Sequence, residues 1–453
     1  MQANQDLSRL VLCGGTGDLA TRHLLPALAQ LLAAGAAPSA LKVAAVGPEP
    51  MTTQEYRGLV ARSLERHPDV QATAAEDLLN RLEYHPADLL RSPSLAAAVG
   101  AGPVIAYLAL PPAVYAPAVR ALQEAGIHAD SRIAVEKPFG QDAPTARALT
   151  ELLHRTVPER NVFRIDHFLH HQTVHNVLAL RLANRLFEPL WRREHVEQVE
   201  ITWEETGTAA GRGAFYDGTG ALRDMVQSHL LQLLALVAMD LPQTLDERGL
   251  RDAKVAALRA VRADGQTVRG RYTAGVVRGR PVGEYLAEPG VVPERATETY
   301  TALRLWVDVD RWAGVPFLVR TGKALGEDRR SVVLRFRPPP GSRPDAEGDA
   351  LRIEMVPDRL ALDLQASGPQ GLGDLAPVRL VTQPPRPSLP PSARLLQDLL
   401  RGDPTLAVRD DEAEQCWRVV DAVLAGWRTG TPPLRDYAAG SAGPVPPGEP
   451  HAG

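Results

Sequence analysis

A nine-residue stretch near the middle of the chain combines residue types that bind metals, bind anions or transfer protons. RIDHFLHHQ, residues 164–172, holds one arginine, one aspartate and three histidines. Histidine is the side chain whose ordinary pKa lies nearest neutrality, so it serves as a proton acceptor, a metal ligand or, when protonated, an anion contact. The stretch is therefore compatible with a metal site, an anion pocket or one half of a catalytic dyad.

Another histidine stands alone in an apolar segment. His229 lies in MVQSHLLQLLALVAM, residues 225–239, which is apolar nearly all round and predicts a buried helix. Taken alone, such a histidine is more typical of a core residue with satisfied hydrogen bonds than of a catalytic base. A catalytic role would require a carboxylate that fixes the tautomer and stabilises the imidazolium.

A glycine-rich turn close to the N-terminus predicts a phosphate-binding site. GGTGDLATRHLLPAL, residues 14–28, begins with this turn (residues 14–17), follows the apolar run RLVLC and continues as a helical pattern. Glycines let the backbone approach a pyrophosphate, and a helix N-terminus presents unpaired N–H groups to it. Because tight turns need glycine for geometry alone, the motif gains weight from its place after a first strand.

The elements that would position these residues fall into two patterns. Strand-like apolar runs alternate with helical segments over about the first 160 residues, which predicts a parallel, doubly wound sheet. Further along, seven strand-like runs between residues 195 and 366 predict a large, mainly antiparallel sheet backed by helices. The predicted fold class is α/β plus α+β, with domains at 1–165 and 166–435 and a disordered tail at 436–453.

Composition excludes several classes of function. At 453 residues the chain is long enough for two domains, and its 44% hydrophobic and 23% charged content is typical of a soluble globular protein. A net charge of -4 gives no overall attraction to nucleic acid or anionic membranes. The two cysteines, Cys13 and Cys416, suit a reducing compartment, and no signal peptide or membrane span is indicated. We therefore expect a cytoplasmic protein with a small-molecule substrate and neither a nucleic-acid nor a membrane partner.

Several motifs together resemble the glucose-6-phosphate dehydrogenase family. The segment at 14–28 is similar to that family's cofactor fingerprint, and matching segments follow it in order, with few gaps. They are YLALPPAVY, VEKPFGQD, RIDHFL, NRLFEPLW, GRGAFYDGTGALRDMVQSHLLQLLALVAM, TETY and RWAGVPFLVRTGKAL. The resemblance implies a Rossmann-type N-terminal domain that binds NAD or NADP, and a homodimer or homotetramer assembled through the large sheet. It also implies oxidation of the C1 hydroxyl of a hexose 6-phosphate, foremost glucose 6-phosphate, to the 1,5-lactone.

The resemblance implies roles for individual residues as well. His229 matches the family's catalytic base and Asp166 the aspartate that orients it, which outweighs their interpretation as core and cap residues. The residues that match or replace sugar and phosphate contacts are Lys137, His167, His171, Glu205, Asp224 and Lys323. Those that match cofactor contacts are Gly14, Thr16, Gly17, Asp18, Leu19, Arg22, Tyr115, Glu136, Lys137 and Pro138.

The substrate motif departs from the family pattern, Arg-Ile-Asp-His-Tyr-Leu-Gly-Lys-Glu. Phe168 replaces a tyrosine and His171 a lysine, both of which bind the sugar phosphate in the family. A charge-assisted hydrogen bond contributes about 1.5–3 kcal/mol, so this loss should weaken phosphate binding unless protonated His170 and His171 compensate. Asp328 stands where many family members have arginine, and the adjacent Arg329 is the candidate substitute.

Residues beside these motifs bear on the choice between NAD and NADP, and on whether the histidines of 164–172 bind a metal. The turn after the second strand, VGPEP, contains Glu49, and a carboxylate there favours the free ribose hydroxyl of NAD. Arg22 and His23 on the first helix leave NADP open. His167 and His171 have a zinc-like spacing on a helix, but further ligands are lacking, so no metal is expected. Two other hypotheses remain: the same reaction on a different sugar, whether phosphorylated, unphosphorylated or amino, and a catalytically weak regulatory homologue.

Overall fold

The computed structural model of the chain describes residues 7–91, 95–340, 348–371 and 374–447. These residues form two units. The first unit contains the described residues up to His171 together with Thr244–Arg251 and Pro387–Glu414. The second unit contains Gln172–Gln243, Asp252–Arg386 and the described residues from Gln415 onward. Each unit is therefore built from several chain segments, unlike the contiguous ranges 1–165 and 166–435 that the sequence predicts.

The first unit is built on a parallel sheet. Its strands are Arg9–Cys13 (β1), Lys42–Gly47 (β2), Leu82–Pro86 (β3), Ile105–Leu108 (β4), Arg132–Glu136 (β5) and Val162–Ile165 (β6). They lie in the order β3-β2-β1-β4-β5-β6 with parallel neighbours throughout, so the strand order reverses between β1 and β4. Sheets of this kind bind ligands beside the carboxyl ends of the strands that flank the reversal. The predicted doubly wound sheet is confirmed.

Helices connect and cover the strands. The α-helices of the described residues are Leu25–Ala33 (α1), Thr53–Leu64 (α2), Ala72–Arg81 (α3), Ala96–Val99 (α4), Tyr115–Glu124 (α5), Ala143–His154 (α6), Gln172–Leu182 (α7), Gly213–Asp217 (α8), Leu231–Ala238 (α9), Glu247–Ala260 (α10), Pro391–Arg401 (α11) and Asp410–Arg428 (α12). Two further segments, Ala20–Leu24 and Leu222–Leu230, have π geometry, in which each N–H bonds the carbonyl five residues earlier.

The distant helix α11 belongs to the first unit because its C-terminal end is fastened to the parallel sheet. Arg132, the first residue of β5, donates from Nη1 to the carbonyls of Leu399 and Leu400 at 3.0 and 2.6 Å. Carbonyls in the last turn of a helix have no partner inside the helix, so the buried guanidinium satisfies them. Gly402 then ends the helix in the left-handed conformation.

The second unit contains a nine-stranded sheet within the described residues. In chain order the strands of this unit are Val196–Glu204 (β7), Val261–Thr273 (β8), Gly275–Val277 (β9), Arg280–Val282 (β10), Tyr300–Val307 (β11), Phe317–Gly322 (β12), Arg329–Phe336 (β13), Ala350–Glu354 (β14), Arg359–Ser367 (β15), Leu375–Thr382 (β16) and Leu434–Ala438 (β17). The sheet order is β16-β15-β14-β13-β7-β12-β11-β8-β17, while β9 and β10 form a separate hairpin. Neighbours in the sheet are antiparallel except β7 with β12 and β8 with β17. The predicted large, mainly antiparallel sheet is confirmed.

Two strands of this sheet lie outside the seven predicted runs, and one of them corrects the predicted tail. β17 pairs with β8, from Leu434 opposite Arg269 to Ala438 opposite Thr273. The prediction of disorder from residue 436 is therefore wrong for residues 436–438, because the open edge of β8 satisfies their backbone groups. Gly440 N–H continues this anchoring with a bond to Ala324 O at 2.8 Å. The last residues of the predicted tail, 448–453, lie outside the described residues.

The helix predicted over residues 225–239 is confirmed as a helical segment of two geometries. The π-helix Leu222–Leu230 passes directly into α9, and every residue of α9 is buried. Within the described part of the chain, no helix is long and apolar enough to cross a membrane.

Candidate active site

The glycine-rich turn lies where the strand order of the first sheet reverses. Gly14 follows β1 with a φ of +84°, and its N–H donates to Val46 O at 2.8 Å. A Cβ at Gly14 would lie 2.2 Å from the carbonyl oxygen of Ala109, which follows β4, so the close approach requires glycine. Gly17 and Asp18 are exposed at the start of the next helical segment, where backbone N–H groups lack helical partners. The turn fits the pyrophosphate of a dinucleotide.

A carboxylate stands beside this turn. Thr16 Oγ1 donates to Glu49 Oε2 at 2.8 Å, which links the turn to the residues after β2. Arg22 Nε forms an exposed ion pair with Asp18 Oδ1 at 3.2 Å. Leu19, the residue after Asp18, is partly buried. The residue after β2 that contacts the glycine-rich turn is thus an acidic one, Glu49, as the sequence predicts.

Two tyrosines hold Glu136 at the carboxyl end of β5. The Tyr107 hydroxyl on β4 donates a short hydrogen bond to Glu136 Oε1, and the Tyr115 hydroxyl donates to the Glu136 carbonyl at 2.8 Å. Burial raises the pKa of Glu136 to about 7, although the Tyr107 bond and the Lys137 charge act in the opposite direction. A cis peptide joins Lys137 to Pro138. Residues predicted to contact the cofactor are therefore brought together at one strand end.

Asp166 is placed by β6 and by the turn that follows it. Its side chain is fully buried, and Oδ1 accepts a hydrogen bond from Phe168 N–H at 3.0 Å, which caps the 3-10 turn His167–His170. Ile165 pairs with Glu136 across the two strands, so Asp166 emerges at the same edge of the sheet. The charge of Asp166 adds to the burial that raises the pKa of Glu136.

The three histidines of the stretch have different surroundings. His167 is exposed and His171 partly buried, with ring centroids 6.4 Å apart and Phe168 packed edge-on against both rings. His170 is only 5% exposed, and its Nε2 lies 3.2 Å from Asp398 Oδ2 on α11. The expectation that His170 compensates for a lost phosphate contact is therefore wrong, because its ring is held inside the first unit. The helical spacing of His167 and His171 is also wrong, since His171 follows the turn in extended conformation.

The arginine of the stretch has a structural role. Arg164 is 1% exposed, and its Nη1 pairs with Glu159 Oε1 at 2.7 Å while Nη2 donates to Thr150 Oγ1 at 3.3 Å. Arg251 adds a second guanidinium to the same Glu159 oxygen at 3.5 Å. Arg164 thus joins β6 to its neighbours and is not presented to an anion.

In the second unit, π geometry places Asp224 and His229 on one face of the helix Leu222–Leu230. Residues five apart stack in a π-helix because each N–H reaches back five residues, whereas an α-helix would turn them to different faces. His229 is 1% exposed and Asp224 is partly buried. Sequence spacing predicts a helix here but carries no signal for this geometry.

Glu298 of the TETY motif holds the beginning of this helix. Its Oε1 accepts from Leu222 N–H at 2.8 Å, and its carbonyl accepts from Ala221 N–H at 3.0 Å. Gly220, with a φ of +71°, packs directly on the carboxyl group, since a Cβ there would lie 2.5 Å from Oε1. Burial raises the pKa of Glu298 to about 7. Sequence reasoning missed this residue as a support of the helix that carries His229.

Glu205 and Lys323 are brought together because they follow neighbouring parallel strands, β7 and β12. Lys323 Nζ donates to Glu205 Oε2 at 3.0 Å and lies 5.3 Å from the centre of the Tyr216 ring. Burial, followed by the charge of Asp224, raises the pKa of Tyr216. Two predicted sugar contacts, Glu205 and Lys323, are therefore paired, and the Lys323 ammonium lies over the ring of the buried Tyr216.

The two arginines at the start of β13 lie on opposite faces of the sheet. Arg329 is opposite Glu204 and pairs with its Oε2 at 2.6 Å. Arg330 is opposite Trp203, and its Nη2 lies 3.3 Å from Glu205 Oε1. Successive strand residues alternate in direction, so Arg330, and not Arg329, adjoins the predicted sugar contact. Arg329, the candidate substitute for the missing arginine, therefore pairs with Glu204 on the other face of the sheet from Glu205.

Asp328 fastens a loop of the second unit. Its Oδ1 accepts from Thr206 N–H at 2.8 Å, and Arg278 Nη2 lies 2.6 Å from Oδ2. Burial alone would raise the pKa of Asp328, but the Thr206 N–H and the guanidiniums of Arg278 and Arg330 lower it below its ordinary value. The residue therefore supplies negative charge where many family members have a cation.

Comparison with known proteins matches nearly the whole chain. The family model described as "Glucose-6-phosphate dehydrogenase, NAD binding domain" matches residues 11–176, and that of the "C-terminal domain" matches residues 178–449. Glucose-6-phosphate 1-dehydrogenase of Gluconobacter oxydans is 40% identical over 462 residues, which cover 96% of this chain and 94% of that protein.

Solved structures show the same similarity. A glucose-6-phosphate dehydrogenase in complex with its substrate glucose-6-phosphate superposes with a TM-score of 0.88 at 27% identity, covering 98% of this chain and 97% of that one. Glucose-6-phosphate 1-dehydrogenase from Mycobacterium avium superposes with a TM-score of 0.85 at 33% identity, covering 97% and 95%. With both domain models and near full-length relatives matched, the chain belongs to the glucose-6-phosphate dehydrogenase family.

Proposed function

We propose that this protein oxidises the C1 hydroxyl of glucose 6-phosphate to the 1,5-lactone, with a nicotinamide cofactor as the hydride acceptor. One observation carries the proposal: the family match runs through residues 11–176 and 178–449, and the chain keeps both Asp166 and His229 at the matching motif positions. The pairing of Glu205 with Lys323 beside the Tyr216 ring supports a sugar subsite that contains a hydroxyl acceptor and a cation.

The reaction removes a proton and a hydride from the C1 carbinol. When bound, the nicotinamide accepts the hydride. His229 takes the hydroxyl proton as general base, which suits an imidazole near neutral pH. Asp166 supplies the carboxylate that such a base requires, and the Phe168 N–H already fixes the orientation of that carboxylate.

The first unit has residues that fit the cofactor. The turn from Gly14 to Leu19 would hold the pyrophosphate, with the N–H groups of Asp18 and Leu19 as its donors, because those of Gly14 and Gly17 already donate to Val46 O and Gly14 O. Tyr115, Glu136, Lys137 and Pro138 would border the nicotinamide at the end of β5, and Lys137 would also reach the sugar.

We favour NAD over NADP. Glu49 stands beside the turn with its carboxylate bound by Thr16, so the phosphate on the ribose of NADP would meet negative charge. Arg22, the nearest candidate for a phosphate contact, is paired with Asp18. The wild-type protein should have the lower KM for NAD, and Glu49→Gln should lower the KM for NADP. A lower wild-type KM for NADP would contradict this preference.

The altered phosphate motif favours a second candidate, the same oxidation of a different phosphorylated, unphosphorylated or amino sugar. Phe168 has no hydroxyl, His170 is paired with Asp398, and Asp328 is acidic. Phe168 and Asp328 thus lack the donor and the positive charge that the family pattern has at these positions, and the paired His170 does not replace them, whereas the hydroxyl contacts Glu205 and Asp224 are kept.

The deciding experiment measures nicotinamide reduction with glucose 6-phosphate, other hexose phosphates, glucose and glucosamine, each with NAD and with NADP. Oxidation of glucose 6-phosphate with the highest kcat/KM supports the leading proposal. A higher kcat/KM for another sugar supports the second candidate. Cofactor binding without reduction by any sugar would favour a regulatory homologue and contradict both.

We further propose that the protein works as a homodimer or a homotetramer of such dimers, assembled through the second unit. Support comes from β16, the edge strand of the large sheet, which exposes Leu375, Val378, Leu380 and Val381. An apolar edge strand is a surface that a second chain covers. A reducing cytoplasmic location suits the two buried free thiols, Cys13 and Cys416.

A further inference from the structure

Three charged side chains converge at one edge of the large sheet. Glu205 follows β7, Lys323 follows β12, and Arg330 is the second residue of β13. β7 lies between the other two, parallel to β12 and antiparallel to β13. The end of β7, the end of β12 and the start of β13 therefore meet, and this topology brings one carboxylate between two cations.

Each cation contacts a different oxygen of the carboxylate. Lys323 Nζ lies 3.0 Å from Glu205 Oε2, and Arg330 Nη2 lies 3.3 Å from Oε1. The three side chains are 24%, 18% and 21% exposed for Glu205, Lys323 and Arg330, so a small molecule can still reach them. The backbone of Glu205 is fixed as well, since its N–H donates to Gly322 O at 2.9 Å.

The guanidinium of Arg330 is itself held in place. Its Cζ lies 4.8 Å from the centre of the Trp203 ring, which is the residue opposite Arg330 in the strand pair. A guanidinium stacked on an indole loses little freedom when it forms a hydrogen bond, because its plane is already set. The second acidic neighbour, Asp328, is more distant at 3.8 Å, so Glu205 is the main partner.

This arrangement determines which lone pairs Glu205 can offer. A carboxylate has about four lone-pair positions, two on each oxygen. Lys323 and Arg330 use one position on each oxygen, which leaves one acceptor position on each. Two such positions side by side suit the adjacent hydroxyl groups of a pyranose ring.

We propose that Arg330 is a positioning residue for sugar recognition, which fixes the Glu205 carboxylate from the side opposite Lys323. The inference rests on the proposed function, in which Glu205 binds sugar hydroxyls. With Lys323 alone, the carboxylate would turn about its last bond and meet the hydroxyls in many orientations. With both cations it is preorganised, so less freedom is lost when the sugar binds.

The chain offers a matched control in the preceding residue. Arg329 occupies the same strand but lies on the other face, where it pairs with Glu204 at 2.6 Å. Arg329→Met therefore removes the same charge and the same side-chain type without touching Glu205. Methionine is long enough at either position to keep apolar packing, including the contact with Trp203 at position 330.

The experiment measures kcat, the KM for the sugar and the KM for the nicotinamide in the wild type, Arg330→Met, Arg330→Lys and Arg329→Met. Arg330→Met should raise the sugar KM by about two- to ten-fold, the effect of having to order one more side chain when the sugar binds, with kcat and the nicotinamide KM nearly unchanged. Arg330→Lys should recover part of this loss, and Arg329→Met should leave the sugar KM unchanged. In a Glu205→Gln background, Arg330→Met should have little further effect, because the group it positions is already altered.

The outcomes separate this inference from the function on which it rests. An active wild type whose sugar KM is unchanged by Arg330→Met overturns the inference and leaves the proposed function standing. Equal increases in Arg330→Met and Arg329→Met also overturn it, since they indicate general damage to the sheet. If Arg330→Met does not fold, Arg330→Lys and Arg330→Gln decide, and equal sugar KM values in those two would overturn the role of the charge. A wild type that oxidises no sugar overturns both proposals.

Discussion

His229 is almost fully buried, so little water is available to stabilise the charge of its imidazolium form. A buried histidine base therefore depends on nearby negative charge to stabilise the imidazolium. On its own helix, Asp224 lies five positions earlier on the same face of the π segment. The family pattern adds Asp166, whose carboxylate is already oriented by a backbone N–H.

Replacement of His229 tests its role as the proposed base. His229→Asn keeps a polar side chain of similar size but cannot accept the proton, so kcat should fall by about 10²–10⁴-fold. Binding of the nicotinamide, followed by fluorescence titration, should be unchanged. Ser228→Ala, the neighbour that bonds the Asp224 carbonyl at 3.3 Å, is the control and should keep kcat. Full activity of His229→Asn would contradict the mechanism.

Glu136 should make stability depend on pH. Burial raises its pKa to about 7 from the ordinary value of 4.5, so between these values the folded protein holds a proton that the unfolded chain has lost. Stability therefore falls as the pH rises through this interval, by on the order of 3 kcal/mol in total, and the loss is complete above it.

Glu136→Gln tests this linkage, because glutamine still accepts the Tyr107 hydrogen bond but does not titrate. Its thermal unfolding midpoint should fall less steeply than that of the wild type between pH 4.5 and about 7. Glu151→Gln, an exposed glutamate of α6 in the same unit, should keep the wild-type slope. Parallel curves for the wild type and Glu136→Gln would exclude Glu136 as the titrating group.

At the scale of elements, the helix that carries Asp224 and His229 depends on its first turn. Glu298 accepts from Leu222 N–H, and Gly220 leaves the space that the Glu298 carboxyl occupies. A helix begun in this way has one of its N-terminal N–H donors satisfied by a side chain from outside the helix.

Gly220→Ala should therefore disturb the active site from outside it. The added Cβ would lie 2.5 Å from Glu298 Oε1 and also require a left-handed backbone, so we expect a loss of about 2–3 kcal/mol in stability and a lower kcat. Gly211→Ala is the control: its φ is +75° but a Cβ there meets nothing within 4 Å, so it shows the backbone cost alone. Equal effects of the two substitutions on unfolding and kcat would rule out a role for the Glu298 contact.

Element types were largely predictable from local sequence, and side-chain directions only in part. Strand-like runs such as VPFLVRTG predict β12 correctly, because alternation and β-branched residues are local signals. The π geometry of Leu222–Leu230 was not predictable, since helical spacing in the sequence does not separate α from π hydrogen bonding. Arg329 and Arg330 differ only by strand register, which a single sequence does not contain.

At the scale of the whole molecule, the sequence predicts two domains but not their segments. Thr244–Arg251 and Pro387–Glu414 return to the first unit through long-range contacts, for which local patterns carry no signal. The same limit applies to His170, because its partner Asp398 lies more than two hundred residues later in the chain and no local pattern indicates the pair. The motif residues themselves were predictable because the family resemblance is carried by short segments in fixed order.

The free edge of the large sheet is the proposed site of assembly. β16 ends the large sheet and exposes Val378 at 39% and Leu380 at 56% on one of its faces. Covering such side chains contributes about 1.5–3 kcal/mol each, and a two-fold interface would place the same strand of both copies together. Lysines at both positions would therefore repel across the interface.

Val378→Lys with Leu380→Lys should reduce the mass measured by sedimentation to that of the next smaller assembly, with the circular dichroism spectrum unchanged. Val276→Lys, a 58% exposed valine on the separate hairpin, should keep the wild-type mass. A double variant that sediments like the wild type would place the interface elsewhere, and a monomeric wild type would contradict the proposed assembly.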